Sequence, residues 1–430
     1  MALERSMKLP ARFQLIIMCF FAVVICYMDR VNISVTILEM VKEFGLNEKQ
    51  KGWVLSSVYL GYVISMSIGG ILADKYGGKI VLGWGLLLWS IFTMLTPFFA
   101  HHGFFFLILI RVLMGLGEGI TFPAWHSMYA RWIPFKERTR AIAITNAGIA
   151  TGTIIALVGA VIIMNTYSWE WVFYSFGAIG IIWFFVWNKY VTSNPEDHLT
   201  ISEEELHLIK KEAPASSKAE KLPFKKLASN LPFIAICVAS FCNGWVLFFF
   251  ISYLPSIIEA DISMGGLGIS VDSNIYILLI TIPAIVGVVT LILGGILGDH
   301  LIKKGYKVIN VRKSVNSIGF FGSAILLLIM SMQDTPAGLI ICLCLVNTCS
   351  GICAGGFNVN QADIGPKYTG SLFGISGAMG ILAAIINPIV AGIILDETNS
   401  YLLLYYINCI ILLFGGFFYL FFASADKQFE

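Results

Sequence analysis

Charged side chains are missing from ten long stretches of this 430-residue chain. Each stretch has the ~17–25 residues that a membrane-spanning helix needs, or is longer where it includes a turn. Because a backbone in lipid must satisfy its own hydrogen bonds, we predict helix for segments this apolar. The stretches without Asp, Glu, Lys or Arg are 52–73, 80–110, 141–169, 171–188, 227–258, 273–298, 314–333, 335–362, 368–395 and 398–425.

The same pattern predicts twelve spans. Residues 80–110 hold one span and the start of the next, divided near His101 and Gly103. Two further apolar segments, about 12–38 and 104–130, are long enough to span a membrane but carry internal charges. The prediction is therefore an all-α membrane protein with twelve transmembrane helices.

Composition agrees with this pattern and excludes other classes of protein. Apolar residues make up 57% of the chain and charged residues 13%, whereas soluble domains carry about 25% charged residues. A net charge of +2 gives no indication of a nucleic-acid partner. The nine cysteines mostly fall in apolar runs, without disulfide or zinc spacing. We therefore predict no metal and no cofactor.

Basic residues predict the orientation of the chain. Of its 28 Lys and Arg residues, only Lys42, Lys49 and Lys51 fall in predicted outer loops. Positive charge concentrates on the cytoplasmic side of membrane proteins, so both termini are predicted to be cytoplasmic. Only eleven residues precede the apolar part of the first helix. A bacterial-type inner membrane is the simplest expectation, and an organellar or vesicular membrane is the alternative.

A polar stretch divides the chain into two parts. Residues 192–230 separate the sixth and seventh helices, which predicts a six-helix bundle at 1–191, a cytoplasmic linker at 192–230 and a second six-helix bundle at 231–430. Ser202 followed by Glu205 is typical of a capping box, so a short surface helix is predicted over Glu203–Glu212.

The two parts share a sequence motif. G-I-L-A-D-K at 70–75 and G-I-L-G-D-H at 295–300 each lie at the end of the second helix of their part. The motif resembles the repeated loop of the major facilitator superfamily, in which two parallel six-helix repeats surround a cavity. The resemblance implies a cytoplasmic gate, for which the candidate residues are Asp74, Lys75, Arg131 and Asp299.

Further motifs narrow the resemblance. D-R-V-N-I-S at 29–34, R-V-L-M-G-L-G-E-G at 111–119 and N-Q-A-D-I-G-P at 360–366 are similar to motifs of the anion:cation symporter family. That family includes sialin, vesicular glutamate transporters, plant phosphate transporters and bacterial sugar-acid symporters. Gln361 stands where relatives often have histidine, and no arginine occurs in the seventh helix, so the motifs leave the substrate open.

Four charges lie deep in the predicted helices: Asp29, Arg30, Arg111 and Glu118. Each costs on the order of 3 kcal/mol at the bilayer centre, so we expect them to face a cavity or each other. They either pin helices one and four together or bind substrate and protons. The resemblance implies that Arg30 grips the substrate and that Asp29 and Glu118 carry protons. We further expect Asp29 to pair with Arg111, and Glu118 to be less directly paired.

Weaker candidates surround these four residues. Tyr27, Tyr59 and Tyr62 have hydroxyl groups suited to a polar solute, and His126 is placed to relay a proton. Polar residues in the apolar runs of the second part are candidates to line the cavity: Tyr253, Asn358 and Asn360. Ordinary packing roles remain open for all of them.

The resulting hypothesis is proton-coupled symport of a small organic anion, such as a sugar acid, sialate or acidic amino acid, by a monomer. The alternative is a sodium-coupled carrier of inorganic phosphate or another anion. A membrane enzyme is disfavoured because the chain contains no H-E-x-x-H or G-x-S-x-G motif. No Walker sequence is present either, which argues against ATP as the direct energy source.

Overall fold

The computed structural model describes residues 10–198, 201–212, 224–333 and 335–429. These residues form α-helices joined by short turns and 3-10 segments, and no β-strand occurs among them. Twelve of the helices are long and apolar enough to cross a membrane. The prediction of an all-α fold with twelve spans is confirmed. Within the predicted linker, residues 199–200 and 213–223 lie outside the described part.

The helices follow one another in the predicted order. The first six spans are α1 Ala11–Phe44, α2 Glu48–Tyr76, α3 Gly78–His101, α4 Phe104–Glu118 with α5 Thr121–Trp132, α6 Phe135–Thr166 and α7 Trp169–Tyr190. Two short helices follow, α8 Glu203–Glu212 and α9 Phe224–Ser229. The last six spans are α10 Leu231–Glu259, α11 Asn274–Lys303, α12 Val308–Met330, α13 Pro336–Ile352 with α14 Phe357–Ile364, α15 Thr369–Thr398 and α16 Leu402–Phe422.

The fourth span of each part is interrupted. α4 ends at Glu118 and α5 begins at Thr121, and a two-residue turn, which we call the break, separates them; Gly119 and Ile120 keep right-handed helical backbone angles there. The corresponding break between α13 and α14 is a 3-10 turn over Cys353–Gly355. The second interruption is the sharper one, because Gly356 leaves the helical conformation with φ −101° and ψ −116°.

The chain packs as two compact units. Unit 1 contains Met1–Thr36 and Ser57–Ala219, and unit 2 contains Ile37–Ser56 and Glu220–Glu430. In unit 1, α3 packs on α4 and α7, and in unit 2, α10 packs on α15 and α11 on α13. The predicted domain boundaries by chain order stay a prediction.

The segment 37–56, which joins α1 to α2, packs with the second unit. Lys42 Nζ lies 2.8 Å from a carboxylate oxygen of Glu259 on α10. Ser56 donates to the backbone carbonyl of Ile385 on α15 at 2.6 Å. Both helices therefore change packing partners along their length.

The predicted linker helix Glu203–Glu212 is confirmed as α8. Its Ser202 hydroxyl accepts the Glu205 N–H at 3.1 Å, as expected of an N-cap. In a capping box the glutamate would in turn accept the backbone N–H of the N-cap serine. Here the Glu205 carboxylate instead accepts the backbone N–H groups of Ala11 and Arg12, at 3.0 and 3.1 Å. Glu205 thus caps the first helix of the bundle. With Ile209 also buried, α8 docks on unit 1.

Candidate functional site

The four charges predicted inside the membrane all belong to unit 1. Asp29 and Arg30 lie on α1, and Arg111 and Glu118 lie on α4, with Glu118 the last residue before the break. None is more than 4% exposed. Burial of this kind in an apolar bundle makes each charge depend on its neighbours for stabilisation.

Arg30 and Glu118 form an ion pair between α1 and α4. Arg30 Nη2 lies 2.9 Å and Nε lies 3.0 Å from the same oxygen, Glu118 Oε2. Glu118 Oε1 has no hydrogen-bond partner among the described residues. The expectation that Glu118 is the less directly paired carboxyl group is wrong, because Arg30 reaches across to it from the neighbouring helix.

Three tyrosines surround the Arg30 guanidinium. Its central carbon lies 4.7 Å from the ring centre of Tyr27, 4.6 Å from that of Tyr62 and 5.9 Å from that of Tyr59. Ring faces attract a cation at such distances. The structure thus brings together five of the predicted binding residues. We call this group, Arg30 with Glu118, Tyr27, Tyr59 and Tyr62, the arginine cage.

Asp29 faces a different helix. Its Oδ2 accepts a hydrogen bond from the indole Nε1 of Trp89 on α3 at 3.0 Å. Its Oδ1 has no partner among the described residues. Asp29 and Arg30 are adjacent on α1, about 100° apart around the helix, so one reaches α3 while the other reaches α4.

Arg111 is buried without a carboxylate beside it. Its Nη1 donates to the sulfur of Met114 at 3.2 Å, and its Nε and Nη2 have no partner among the described residues. No carboxylate oxygen of the described chain lies within 4.0 Å of its nitrogens. The expected pairing of Asp29 with Arg111 is therefore not formed in this conformation.

Three glycines of α4 and its break place Glu118 at the helix contacts. A Cβ on Gly115 would lie 1.9 Å from the Val58 carbonyl oxygen of α2, and one on Gly119 would lie 2.3 Å from the Tyr62 carbonyl oxygen. A Cβ on Gly117 would lie 2.9 Å from the Trp89 Cβ of α3. Alternate glycines therefore let α2 and α3 approach α4 from two sides around Glu118.

Comparison with known proteins fits this architecture. The family model described as Major Facilitator Superfamily matches residues 19–368 and 266–428. The chain belongs to the Major Facilitator Superfamily. It is 33% identical to the ascorbate transporter, chloroplastic, of Arabidopsis thaliana over 424 residues, which covers 98% of this chain and 76% of the relative. It is 32% identical to the sodium-dependent phosphate transport protein 1, chloroplastic, of the same plant, covering 91% and 75%.

Both relatives are named as transporters of an anion, as the resemblance to the anion:cation symporters predicts. The prediction of a multi-pass membrane transporter rather than an enzyme is confirmed. Both names also contain the word chloroplastic, so they give no support to the predicted bacterial-type inner membrane.

A solved structure shares the fold. The crystal structure of a D-xylose-proton symporter superposes with a TM-score of 0.76 at 16% identity, covering 97% of this chain and 99% of that one. At this identity the likeness concerns the fold alone.

The superfamily motif at the end of α2 is anchored to the second half of the broken span. Asp74 Oδ1 accepts a hydrogen bond from Ser127 on α5 at 2.8 Å. Lys75 Nζ lies 5.0 Å from the centre of the Tyr76 ring, and Arg131 donates to Asn194 Oδ1 at 3.4 Å. In unit 2, the corresponding Asp299 is exposed on α11.

The remaining predicted residues make contacts within their own units. His126 Nδ1 lies 2.8 Å from the Phe122 carbonyl oxygen, and its ring stacks on Trp125. In unit 2, the buried Tyr253 donates to the Pro388 carbonyl at 2.9 Å, and this hydrogen bond joins α10 to α15. Asn358 is half-buried on α14, and the buried Asn360 of the same helix donates to Tyr419 at 2.9 Å.

Sequence reasoning missed Trp89 as a partner of Asp29. A tryptophan within the apolar run 80–110 looks like any packing residue, and a buried indole needs an acceptor that the sequence does not identify. The one available signal is that a buried Asp must find a donor, but α3 also carries the buried hydroxyls of Ser90, Thr93 and Thr96, so this signal does not single out Trp89.

Proposed function

We propose that the chain is a secondary active transporter that moves a small organic anion together with protons by alternating access. The observation that carries this proposal is the arginine cage, in which Arg30 holds Glu118 inside the bundle. Arginine keeps its charge, whereas a carboxylate can be neutralised by a proton. A proton on Glu118 therefore weakens the pair and frees Arg30 for another anion.

Charge balance supports coupling to protons. Asp29, Arg30, Arg111 and Glu118 sum to zero when all four are ionised. An entering monoanion leaves one uncompensated negative charge in a buried site, which is costly. Protonation of one carboxyl group restores neutrality, and a second proton makes the loaded carrier positive. Substrate and protons are thereby favoured together.

The chemistry of the cage suggests a carboxylate substrate. The planar fork of Arg30 matches the two oxygens of a carboxylate. Tyr27, Tyr59 and Tyr62 add hydroxyl groups and ring faces suited to a solute with several polar groups. A sugar acid, a sialate or an acidic amino acid has this combination, and the naming of one relative for ascorbate is in keeping with it.

Further roles complete the proposal. Asp29, Arg111 and His126 act with Glu118 in proton transfer, and Tyr253 and Asn358 contribute to substrate binding from the second part. We place both termini on the cytoplasmic side. The gate lies on the same side and comprises Asp74, Lys75, Arg131 and Asp299. The unit of transport is a monomer.

A sodium-coupled phosphate carrier is the second candidate. One relative is named as a sodium-dependent phosphate transport protein, and phosphate also binds the arginine fork bidentately. This candidate predicts uptake that needs sodium and continues when the proton gradient is collapsed.

Substitution of Arg30 tests the binding role. Purified protein in proteoliposomes is assayed with labelled gluconate, N-acetylneuraminate, glutamate, ascorbate and phosphate. For the anion that wild type accumulates most, Arg30→Ala should abolish uptake, and Arg30→Lys should weaken binding by roughly tenfold or more because a point charge does not replace the fork. Arg312→Lys is the control, since Arg312 is a buried arginine paired with Asp363 in unit 2. Wild-type affinity in Arg30→Lys, or equal loss in the control, contradicts the proposal.

A further inference from the structure

Trp89 contacts one of the buried carboxyl groups and packs against the helix that carries the other. Its indole Nε1 donates to Asp29 Oδ2 at 3.0 Å, and the whole side chain is buried. Its Cβ packs against Gly117, the residue that precedes Glu118. Trp89 therefore stands between α1 and α4 at the level of both acids.

The backbone fixes Trp89 in this place. A Cβ on Gly117 would lie 2.9 Å from the Trp89 Cβ, and a Cβ on Gly85 would lie 3.1 Å from the Gly117 carbonyl oxygen. The two glycines thus allow α3 and α4 to lie in close contact at the position from which the indole reaches Asp29.

Indole nitrogen is a donor that cannot accept. It therefore stabilises an ionised carboxylate more than a protonated one. The charged groups that act on Asp29 from α4 are Glu118 and Arg111, and Arg30 adjoins it on α1. Two titratable groups of α2 lie close to the Arg30 guanidinium, Tyr62 at 4.6 Å and Tyr59 at 5.9 Å, and Tyr59 also interacts with Arg111. α3 contributes the uncharged Trp89 and Thr93.

We infer that Trp89 is a positioning residue for proton coupling: its N–H holds Asp29 towards α3 and favours the ionised carboxylate over the protonated acid while Arg111 is not paired with it. This inference rests on the proposed proton coupling. It predicts that loss of the N–H lets Asp29 take up its proton at higher pH.

Spectroscopy tests the contact without any substrate. The chain has ten tryptophans, and in protein labelled with 5-fluorotryptophan the ¹⁹F resonance that disappears in Trp89→Phe belongs to Trp89. We expect this resonance to shift with pH in wild type and to stop doing so in Asp29→Asn. Resonances of tryptophans away from Asp29, such as Trp187, should be the same in both proteins. A Trp89 resonance that does not titrate, or that titrates unchanged in Asp29→Asn, overturns the inference even if transport is proton-coupled.

Transport provides the second readout. For the anion that wild type accumulates most from the panel above, Trp89→Phe should move the pH dependence of uptake to higher pH by about one unit. Trp187→Phe is the matched control, because Trp187 is equally buried and its indole donates to the Lys79 carbonyl at 2.9 Å. An unchanged profile in Trp89→Phe, or an equal shift in Trp187→Phe, contradicts the positioning role. If uptake proves to be driven by sodium, the proposed function fails, while the ¹⁹F titration still decides whether Trp89 reports on Asp29.

Discussion

Arg30 and Glu118 differ in their capacity to change charge, and the proposed coupling rests on this difference. The arginine is a fixed cation, whereas the carboxylate that occupies its fork can be neutralised. In the proposed mechanism, Glu118 and a substrate anion compete for Arg30, and this competition makes binding sensitive to protonation. Asp29 belongs to a separate hydrogen bond with Trp89, so the two acids need not take up protons in the same step.

Glu118→Gln tests this competition. Glutamine mimics the protonated acid, so the variant should bind substrate and exchange it across the membrane but fail to concentrate it. Counterflow and net uptake measured on the same proteoliposomes separate the two activities. Glu196→Gln, which neutralises an exposed partner of Lys210, should behave as wild type. If Glu118→Gln accumulates substrate against a gradient, Glu118 is not a coupling residue.

The identity of the charged residues was predictable from the sequence, whereas their pairing was not. Asp29, Arg30, Arg111 and Glu118 are conspicuous because charges are rare in apolar segments. Which acid meets which arginine depends on how α1 rotates against α3 and α4, and a helix period alone does not determine that rotation. The contact of Asp29 with Trp89 depends on the same rotation.

At the scale of elements, the glycines of α4 and its break determine how closely the helices approach. In lipid, van der Waals contact rather than the exclusion of water holds helices together. The glycines strengthen this contact because they let the neighbouring backbones come close to α4. Gly115 and Gly119 admit α2, and Gly117 admits α3. The break after Glu118 then ends α4 at the cage.

Gly115→Ala should destabilise the protein by about 1–3 kcal/mol, because the added methyl group has no room beside the Val58 carbonyl. Thermal unfolding of the purified protein in detergent measures the effect as a lower midpoint temperature. Gly374→Ala in α15 is the control, since nothing lies within 4 Å of the position of its added Cβ. Equal midpoints for the two variants would show that the close approach of α2 and α4 contributes nothing to stability.

The docked helix α8 is the second feature at this scale. Glu205 satisfies two N–H groups at the start of α1 and pairs with Arg12, which also pairs with Glu137 at 2.9 Å. The carboxylate thereby joins the linker, the first helix and the start of α6. Hydrogen bonds to a charged group contribute about 1.5–3 kcal/mol each when buried.

Glu205→Ala should loosen the start of α1. Hydrogen exchange at the amides of Ala11 and Arg12 should become at least about tenfold faster, since each 1.4 kcal/mol corresponds to a factor of ten. Mass spectrometry of peptides covering these residues follows the exchange. Glu204→Ala removes the exposed neighbouring carboxylate and should leave exchange unchanged. Identical exchange in both variants would mean that the cap seen here does not protect α1.

At the scale of the whole molecule, the twelve spans were predictable because each is an uninterrupted apolar segment, or one with a recognisable charged motif. The packing of residues 37–56 with unit 2 was not, since α1 and α2 are continuous helices and their sequences do not state where the packing partner changes. The docking of α8 could not be predicted from the sequence either. The S-x-x-E pattern identifies Glu205 as a capping residue, but it does not show that the carboxylate caps α1.

Accumulation under an imposed gradient is the measurement that tests the central claim most directly. Proteoliposomes in sodium-free buffer receive an inward proton gradient, and uptake of the labelled panel is followed with and without an uncoupler and an inside-negative potential. We predict that the proton gradient alone concentrates an organic anion and that the uncoupler abolishes this accumulation. The inside-negative potential should increase the accumulation, because two protons accompany a monoanion. Accumulation that requires a sodium gradient and persists with the uncoupler would contradict the account.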